Sequence, residues 1–203
     1  MLKLSYVDIG YNNRKLIENV NLDIERGKLY VLTGENGTGK TTLLRLFSGC
    51  ISPLGGEIKV DNISIGYLPF NPTYPTFMNS YKYLRLFGQA YNSDYKSYIQ
   101  KYSLDNVLIR KLSKGNLIKL GLIQLLICDF DLVLLDEAND GLDADSKKLL
   151  KEDIKTLLEK NKTVIVSTHT PSLYKELNPI KLNIKDRKLY EKKKKQLWFI
   201  IQD

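Results

Sequence analysis

Histidine and cysteine are nearly missing from this chain, whose 203 residues include one histidine, His169, and two cysteines, Cys50 and Cys128. The cysteines lie far apart, show no metal-ligand spacing, and are too few for the disulfide framework of a small secreted domain. A reducing compartment is therefore expected. Long apolar runs are scarce as well. The nearest approach, residues 120–135, is interrupted by Gln124, Asp129 and Asp131, and falls short of the roughly 20 apolar residues that a spanning helix requires. The opening MLKLSYVDIG has no basic stretch followed by an apolar core, so no secretory leader is expected. No internal repeat is visible, and the only low-complexity run is the four lysines 192–195.

What remains is the composition of an ordinary globular domain. The length suits one domain, and a hydrophobic fraction of 43% is ample for its core. The net charge of +8 suggests an anionic partner until its distribution is read: from residue 181 onward there are eight Lys or Arg against three Asp or Glu. A nucleic-acid protein spreads positive charge over a folded face, so no nucleic-acid partner is expected.

Periodicity predicts strands at residues 3–8 and 15–25, then a β-rich run at 28–33 of the kind buried in a parallel sheet. A helix is expected at 39–48, and short β runs at 57–60 and 63–68. Tyrosines and leucines at helical spacing predict two or three helices over 79–107. Helices at 114–128 and 144–160 alternate with strands at 132–136 and 163–167, which argues for a parallel sheet with helices on its faces.

Between the third strand and the first helix stands Gly34-Glu35-Asn36-Gly37-Thr38-Gly39-Lys40-Thr41, followed by Thr42. This is the G-x-x-x-x-G-K-[ST] pattern in its expected strand–loop–helix setting. Average residue usage would produce it by chance in about one chain of this length in a hundred. Its glycines let backbone N–H groups and the helix N-terminus converge on phosphate oxygens. Lys40 is expected between the β- and γ-phosphates, and the Thr41 hydroxyl on Mg²⁺. The run Leu132-Val133-Leu134-Leu135-Asp136-Glu137 ends an apolar strand in two carboxylates. Asp136 is expected at the metal; Glu137, on the opposite side of the strand tip, is expected to polarise the attacking water. His169 follows the strand 163–168, at the strand end where open α/β sheets bind ligands. It is expected to contact the γ-phosphate.

Leu112-Ser113-Lys114-Gly115-Asn116, opening a predicted helix, narrows the reading. Here the chain resembles, over essentially its whole length, the ATP-binding cassette of ABC transporters, whose signature is Leu-Ser-x-Gly-Gln. The resemblance implies the α/β fold of P-loop NTPases: a mostly parallel sheet with flanking helices, an N-terminal antiparallel β part and a small helical subdomain. It implies one domain over 1–203, with the core at 1–70 and 116–191, the helical subdomain at about 71–115, and a basic and apolar tail at 192–203. ATP and Mg²⁺ are the implied cofactors. Ser113 and Gly115 would close over the ATP of a second cassette, identical or homologous. Tyr11, 29 residues before Lys40, would stack on adenine, and Asp143 would act in the loop that joins the two ATP sites. A separate membrane-spanning permease is the implied partner, with the cassette on the cytoplasmic side of the cell membrane and export the expected direction. The family docks its permease on the helical subdomain.

Two departures stand out. Asn116 replaces the signature glutamine, and Phe70 stands where the family places a glutamine that touches Mg²⁺ and senses the permease. The second bears on coupling rather than on ATP binding, because a phenyl ring cannot coordinate a metal. The rival readings are a soluble ABC ATPase, a P-loop kinase or GTPase, and a cassette that binds ATP without hydrolysing it. No Asn-Lys-x-Asp guanine motif is present, and Lys40, Asp136, Glu137 and His169 are intact. The tail, with its lysine run followed by five apolar residues from Leu197, is either a final packed strand or helix or an anchor on anionic lipid.

Overall fold

The computed structural model describes residues 1–192. Residues 193–203, and with them nearly all of the tail reading, lie outside the described residues.

The chain opens with a β-hairpin, β1 (Leu2–Tyr11) and β2 (Arg14–Ile24). Its two-residue turn, Asn12 and Asn13, takes positive φ at both positions (48° and 63°), which asparagine tolerates and which matches the twist of the flanking strands. The strand β3 (Leu29–Gly34) runs into α1 (Lys40–Phe47). Two short strands follow, β4 (Gly55–Val60) and β5 (Ile65–Leu68). The helical segment comprises α2 (Ser80–Ala90) and α3 (Tyr95–Lys101), and a short 3-10 turn (Ile109–Lys111) leads to α4 (Lys114–Cys128). The chain then alternates: β6 (Leu132–Asp136), α5 (Ala144–Glu159), β7 (Thr163–Ser167), a 3-10 segment (Pro171–Leu177), β8 (Ile180–Lys185) and β9 (Lys188–Lys192).

Two sheets result. One is antiparallel and three-stranded, in the order β2-β1-β4. The other has six strands in the order β5-β6-β7-β3-β8-β9, all parallel except the last pair. Alternation along the central strands divides their side chains between two cores. Tyr30, Leu32, Leu132, Leu134 and Ile165 pack with α1 and the antiparallel sheet. Leu29, Val31, Val133, Leu135, Val164 and Val166 pack with α4, α5 and the helical segment. Burial on both faces explains why β3, β6 and β7 read as continuous apolar runs.

Leu84, Ile99, Tyr102, Leu104 and Ile109 share that second core with the sheet. A buried link reinforces the join: Asp153 of α5 accepts from the Tyr102 hydroxyl (2.7 Å) and from the Lys101 ammonium (2.5 Å) of the α3 end. Among the described residues, no helix is long and apolar enough to cross a membrane.

Candidate functional site

Consecutive parallel strands deliver their C-terminal ends to one edge of the sheet, and the polar residues beyond those ends meet there. β3 ends in Gly34, β6 in Asp136 and β7 in Ser167, with Asp136 and Ser167 paired in register. The loop after β3 is turned by Glu35, whose carbonyl accepts from the Thr38 hydroxyl (2.9 Å) and amide (3.4 Å). Glu35, Asn36 and Gly37 are exposed, Thr38 is half-buried, and Thr42 turns into the protein. Gly39 has φ 107°, a conformation side-chain-bearing residues avoid, and a Cβ there would come within 3.2 Å of Ile17.

α1 differs from its neighbours at its N-terminus. Asn79, Asp94, Ser113 and Asp143 each cap a helix by accepting backbone N–H groups, whereas Gly39 offers α1 no side-chain cap. The first N–H groups of α1 are thus left for a ligand, at the positive end of the helix dipole.

The side chains around this point form one connected cluster. Lys40, 5% exposed, donates to the carbonyls of Gly34 (3.0 Å) and Glu35 (3.3 Å), and its Nζ lies 3.5 Å from Glu137 Oε1. The same Glu137 oxygen is 2.9 Å from His169 Nε2. Thr41 donates to Asp136 Oδ2 at 2.8 Å, and Ser167 donates to Asp136 Oδ1 at 2.6 Å. The Glu137 amide donates to the carbonyl and the hydroxyl of Ser167 (3.1 and 3.0 Å). Strand alternation would send Glu137 away from Asp136. Glu137 instead takes φ 51°, and the two carboxylates reach the consecutive residues Lys40 and Thr41. That left-handed turn costs about 1–2 kcal/mol for a residue with a Cβ.

Tyr11 closes the outer end of the hairpin, half-exposed, with its hydroxyl accepting from Arg45 at 3.3 Å. Tyr67 of β5 directs its hydroxyl to Asp136 Oδ2 at 3.4 Å. Burial first, and then the Asp136 carboxylate, push the Tyr67 phenol well above its ordinary value, so it remains a donor. A cleft of about 380 Å³ adjoins the loop tip, lined by Arg14, Lys15, Leu16, Gly37, Thr38 and Arg187.

Ser113, Gly115 and Asp143 form a second station. Ser113 caps α4 by accepting the Asn116 amide at 3.2 Å, while the Asn116 side chain donates to Asp105 at 2.6 Å. Gly115 passes so close to the 139–142 turn that a Cβ would lie 2.6 Å from the Gly141 carbonyl oxygen. Asp143 caps α5 by accepting the Ser146 amide at 2.7 Å, and its other oxygen is 3.3 Å from Lys119 of α4. The Ser146 amide first, and then Lys119, pull the Asp143 carboxyl down to about 2. Phe70 lies beneath Lys114, whose ammonium is 4.1 Å from the ring centroid. Among the described residues, none of these hydrogen bonds and ion pairs reaches the loop of residues 34–42.

Sequence reasoning missed Ser167, Arg45 and Tyr67. Ser167 had a usable signal, since it ends the strand paired with the Asp136 strand; Arg45 and Tyr67 had none beyond the tertiary fold.

Comparison with known proteins adds the following. The family model described as ABC transporter matches residues 17–140. An uncharacterized ABC transporter ATP-binding protein of Methanocaldococcus jannaschii is 33% identical over 180 residues, covering 83% of this chain and 68% of that protein. A lantibiotic transport ATP-binding protein of Streptococcus pyogenes is 28% identical over 183 residues, covering 83% of this chain and 80% of that protein. A solved structure described as the dimeric post-hydrolysis state of an ATP-binding cassette bound to ADP and Pi superposes with TM-score 0.84. It is 22% identical, with 95% of this chain and 98% of that chain covered.

Proposed function

The chain belongs to the ABC transporter family, and on that premise we propose that it is the subunit that binds and hydrolyses Mg-ATP to drive a separate membrane-spanning permease, in the direction of export. The observation that carries this reading is the cluster at the uncapped start of α1. There Lys40, Glu137 and His169 form one set of contacts (3.5 and 2.9 Å), Thr41 and Asp136 form a second (2.8 Å), and Ser167 joins the two by donating to Asp136 at 2.6 Å and accepting the Glu137 amide at 3.0 Å. Export rests on the short helical segment between the sheet and the signature, by analogy with the family.

The roles follow from donor chemistry. Residues 34–39 and the first N–H groups of α1 cradle the β- and γ-phosphates, and Lys40 exchanges its two carbonyl partners for phosphate oxygens. Thr41 and Asp136 offer a hydroxyl and a carboxylate 2.8 Å apart, hard oxygen donors that suit Mg²⁺. Bound there, Mg²⁺ would neutralise charge on the phosphate oxygens. Thr42 supports the loop from beneath. Glu137 accepts the proton of the attacking water, with His169 orienting it and reaching the γ-phosphate. Tyr11 supplies the platform for adenine. Ser113 and Gly115 meet the ATP held by a second cassette in a head-to-tail pair; a neighbour of the same fold is described as dimeric. Asp143 ties that station to the start of α5. ATP binding closes the pair and hydrolysis releases it, so the chain works at the inner face of the cell membrane by docking on its permease.

The test is co-purification of the tagged Glu137→Gln chain with ATP from detergent-solubilised host membranes. Stoichiometric recovery of a multi-span membrane protein supports the transporter reading. Recovery of soluble proteins alone, with ATP hydrolysis by the wild type, would replace it with a soluble ABC ATPase.

A further inference from the structure

Two residues outside the sequence motifs join the base end of the site to its metal end. Arg45 lies one turn beyond Thr41 on the same face of α1. Its guanidinium donates to the Tyr11 hydroxyl at 3.3 Å and also faces the Tyr67 hydroxyl. The Tyr67 hydroxyl in turn reaches Asp136 Oδ2 at 3.4 Å, the oxygen that Thr41 also contacts at 2.8 Å. Ser167 holds the other oxygen at 2.6 Å. Three hydroxyls from α1, β5 and β7 thus fix one carboxylate that is 1% exposed.

We propose that Arg45 and Tyr67 are positioning residues that link Tyr11 to Asp136, so that the adenine platform and the metal-side carboxylate are held through one connected set of polar side chains. The proposal rests on the nucleotide reading above. Its physical content is a division of labour at Asp136. When the Thr41 hydroxyl turns its lone pairs to a cation, Tyr67 and Ser167 keep the carboxylate aimed. Arg45 steadies Tyr67 from its outer side while fixing the edge of the Tyr11 ring. The two phenols come from different sheets, Tyr11 from β1 and Tyr67 from β5, and Arg45 bridges them across the surface of α1.

The experiment is binding of N-methylanthraniloyl-ATP, followed by fluorescence, as Mg²⁺ is titrated against the full chain. Tyr67→Phe keeps the ring and removes one bond to a charged acceptor. It should raise the Mg²⁺ concentration at half-maximal binding about three- to tenfold. Arg45→Met should raise it by a smaller factor and also weaken the nucleotide, while leaving displacement by inorganic triphosphate unchanged. In the Tyr67→Phe background, Arg45→Met should no longer move the Mg²⁺ midpoint, because coupled residues are not additive. Midpoints within twofold of wild type for both single variants, or additive shifts in the double variant, overturn the link. Wild type without Mg²⁺-dependent binding, or Lys40→Ala binding as wild type does, would instead overturn the nucleotide reading and this proposal with it.

Discussion

Replacing Lys40 with alanine tests the site where its electrostatics concentrate. In the free protein the ammonium is nearly buried and has three partners, the Gly34 and Glu35 carbonyls and the Glu137 carboxylate. On the proposed reading, nucleotide binding exchanges the carbonyls for phosphate oxygens. Two bonds to charged acceptors contribute about 3–6 kcal/mol, and two bonds to neutral carbonyls about 1–3 kcal/mol. The difference leaves a net of about 2–3 kcal/mol, which predicts that Lys40→Ala raises Kd for ATP roughly 30- to 150-fold. The same substitution should lower the stability of the free protein by about 1–3 kcal/mol, or roughly 2–4 °C in Tm for each kcal/mol. At an ATP concentration of about 100 times the wild-type Kd, the ligand stabilises the wild type by about 2.7 kcal/mol. The variant should gain less than about 1 kcal/mol under the same conditions. Thermal melts with and without Mg-ATP, alongside a direct binding titration, separate the two effects. A Kd within threefold of wild type, or equal ATP-dependent shifts in Tm, would refute the reasoning.

Glu137→Gln should keep ATP affinity while lowering kcat by about 10²–10⁴, the usual worth of a general base; steady-state turnover within tenfold of wild type would remove Glu137 from that role. Asp153→Ala strands the Tyr102 hydroxyl, whose residue is 1% exposed, without its acceptor, and should destabilise the fold by about 1–3 kcal/mol. Adding Tyr102→Phe should recover part of that loss in chemical denaturation, and no recovery would mean that the bond is not the cause. Asp143 titrates at about 2 in the folded chain, below its ordinary value near about 3.9. The depressed value makes its stabilisation complete above about pH 4 and lost as pH falls toward 2. The Tm advantage of wild type over Asp143→Asn should therefore shrink across that window, and a constant difference would contradict the assignment.

The cluster around Lys40 was legible because its residues are adjacent in sequence or anchored to buried strands. Residues 132–136 and 163–167 read as strands because apolar side chains line both of their faces, and the loop between β3 and α1 follows from its glycines. What was hidden depends on register and on single dihedral angles. Ser167 reaches Asp136 only because β6 and β7 pair residue for residue. Glu137 turns toward Lys40 because its φ is 51°, which strand alternation does not predict. β8 and β9 were also missed: Lys181, Asn183 and Lys185 alternate with the apolar residues of an edge hairpin whose charges mask its pattern.

The departure at Phe70 gains a physical meaning from the same kind of contact. Where the family carries a glutamine, the ring here lies 4.1 Å below the ammonium of Lys114, in the first turn of α4. Such a contact is worth about 0.5–1 kcal/mol at an exposed site. It ties the segment after β5 directly to the helix that carries Ser113 and Gly115. The Gly115–Gly141 approach and the Lys119–Asp143 pair tie that same helix start to the turn after β6 and to α5. The second station is therefore held to the core from two sides without any ligand. On the proposed reading, movement of α4 as two cassettes close would loosen at least one of these ties, and the cation–π contact, with no buried polar group left unpaired when it opens, is the least costly to release. Phe70 thereby fits a mechanical rather than a metal-binding part in communication between the stations.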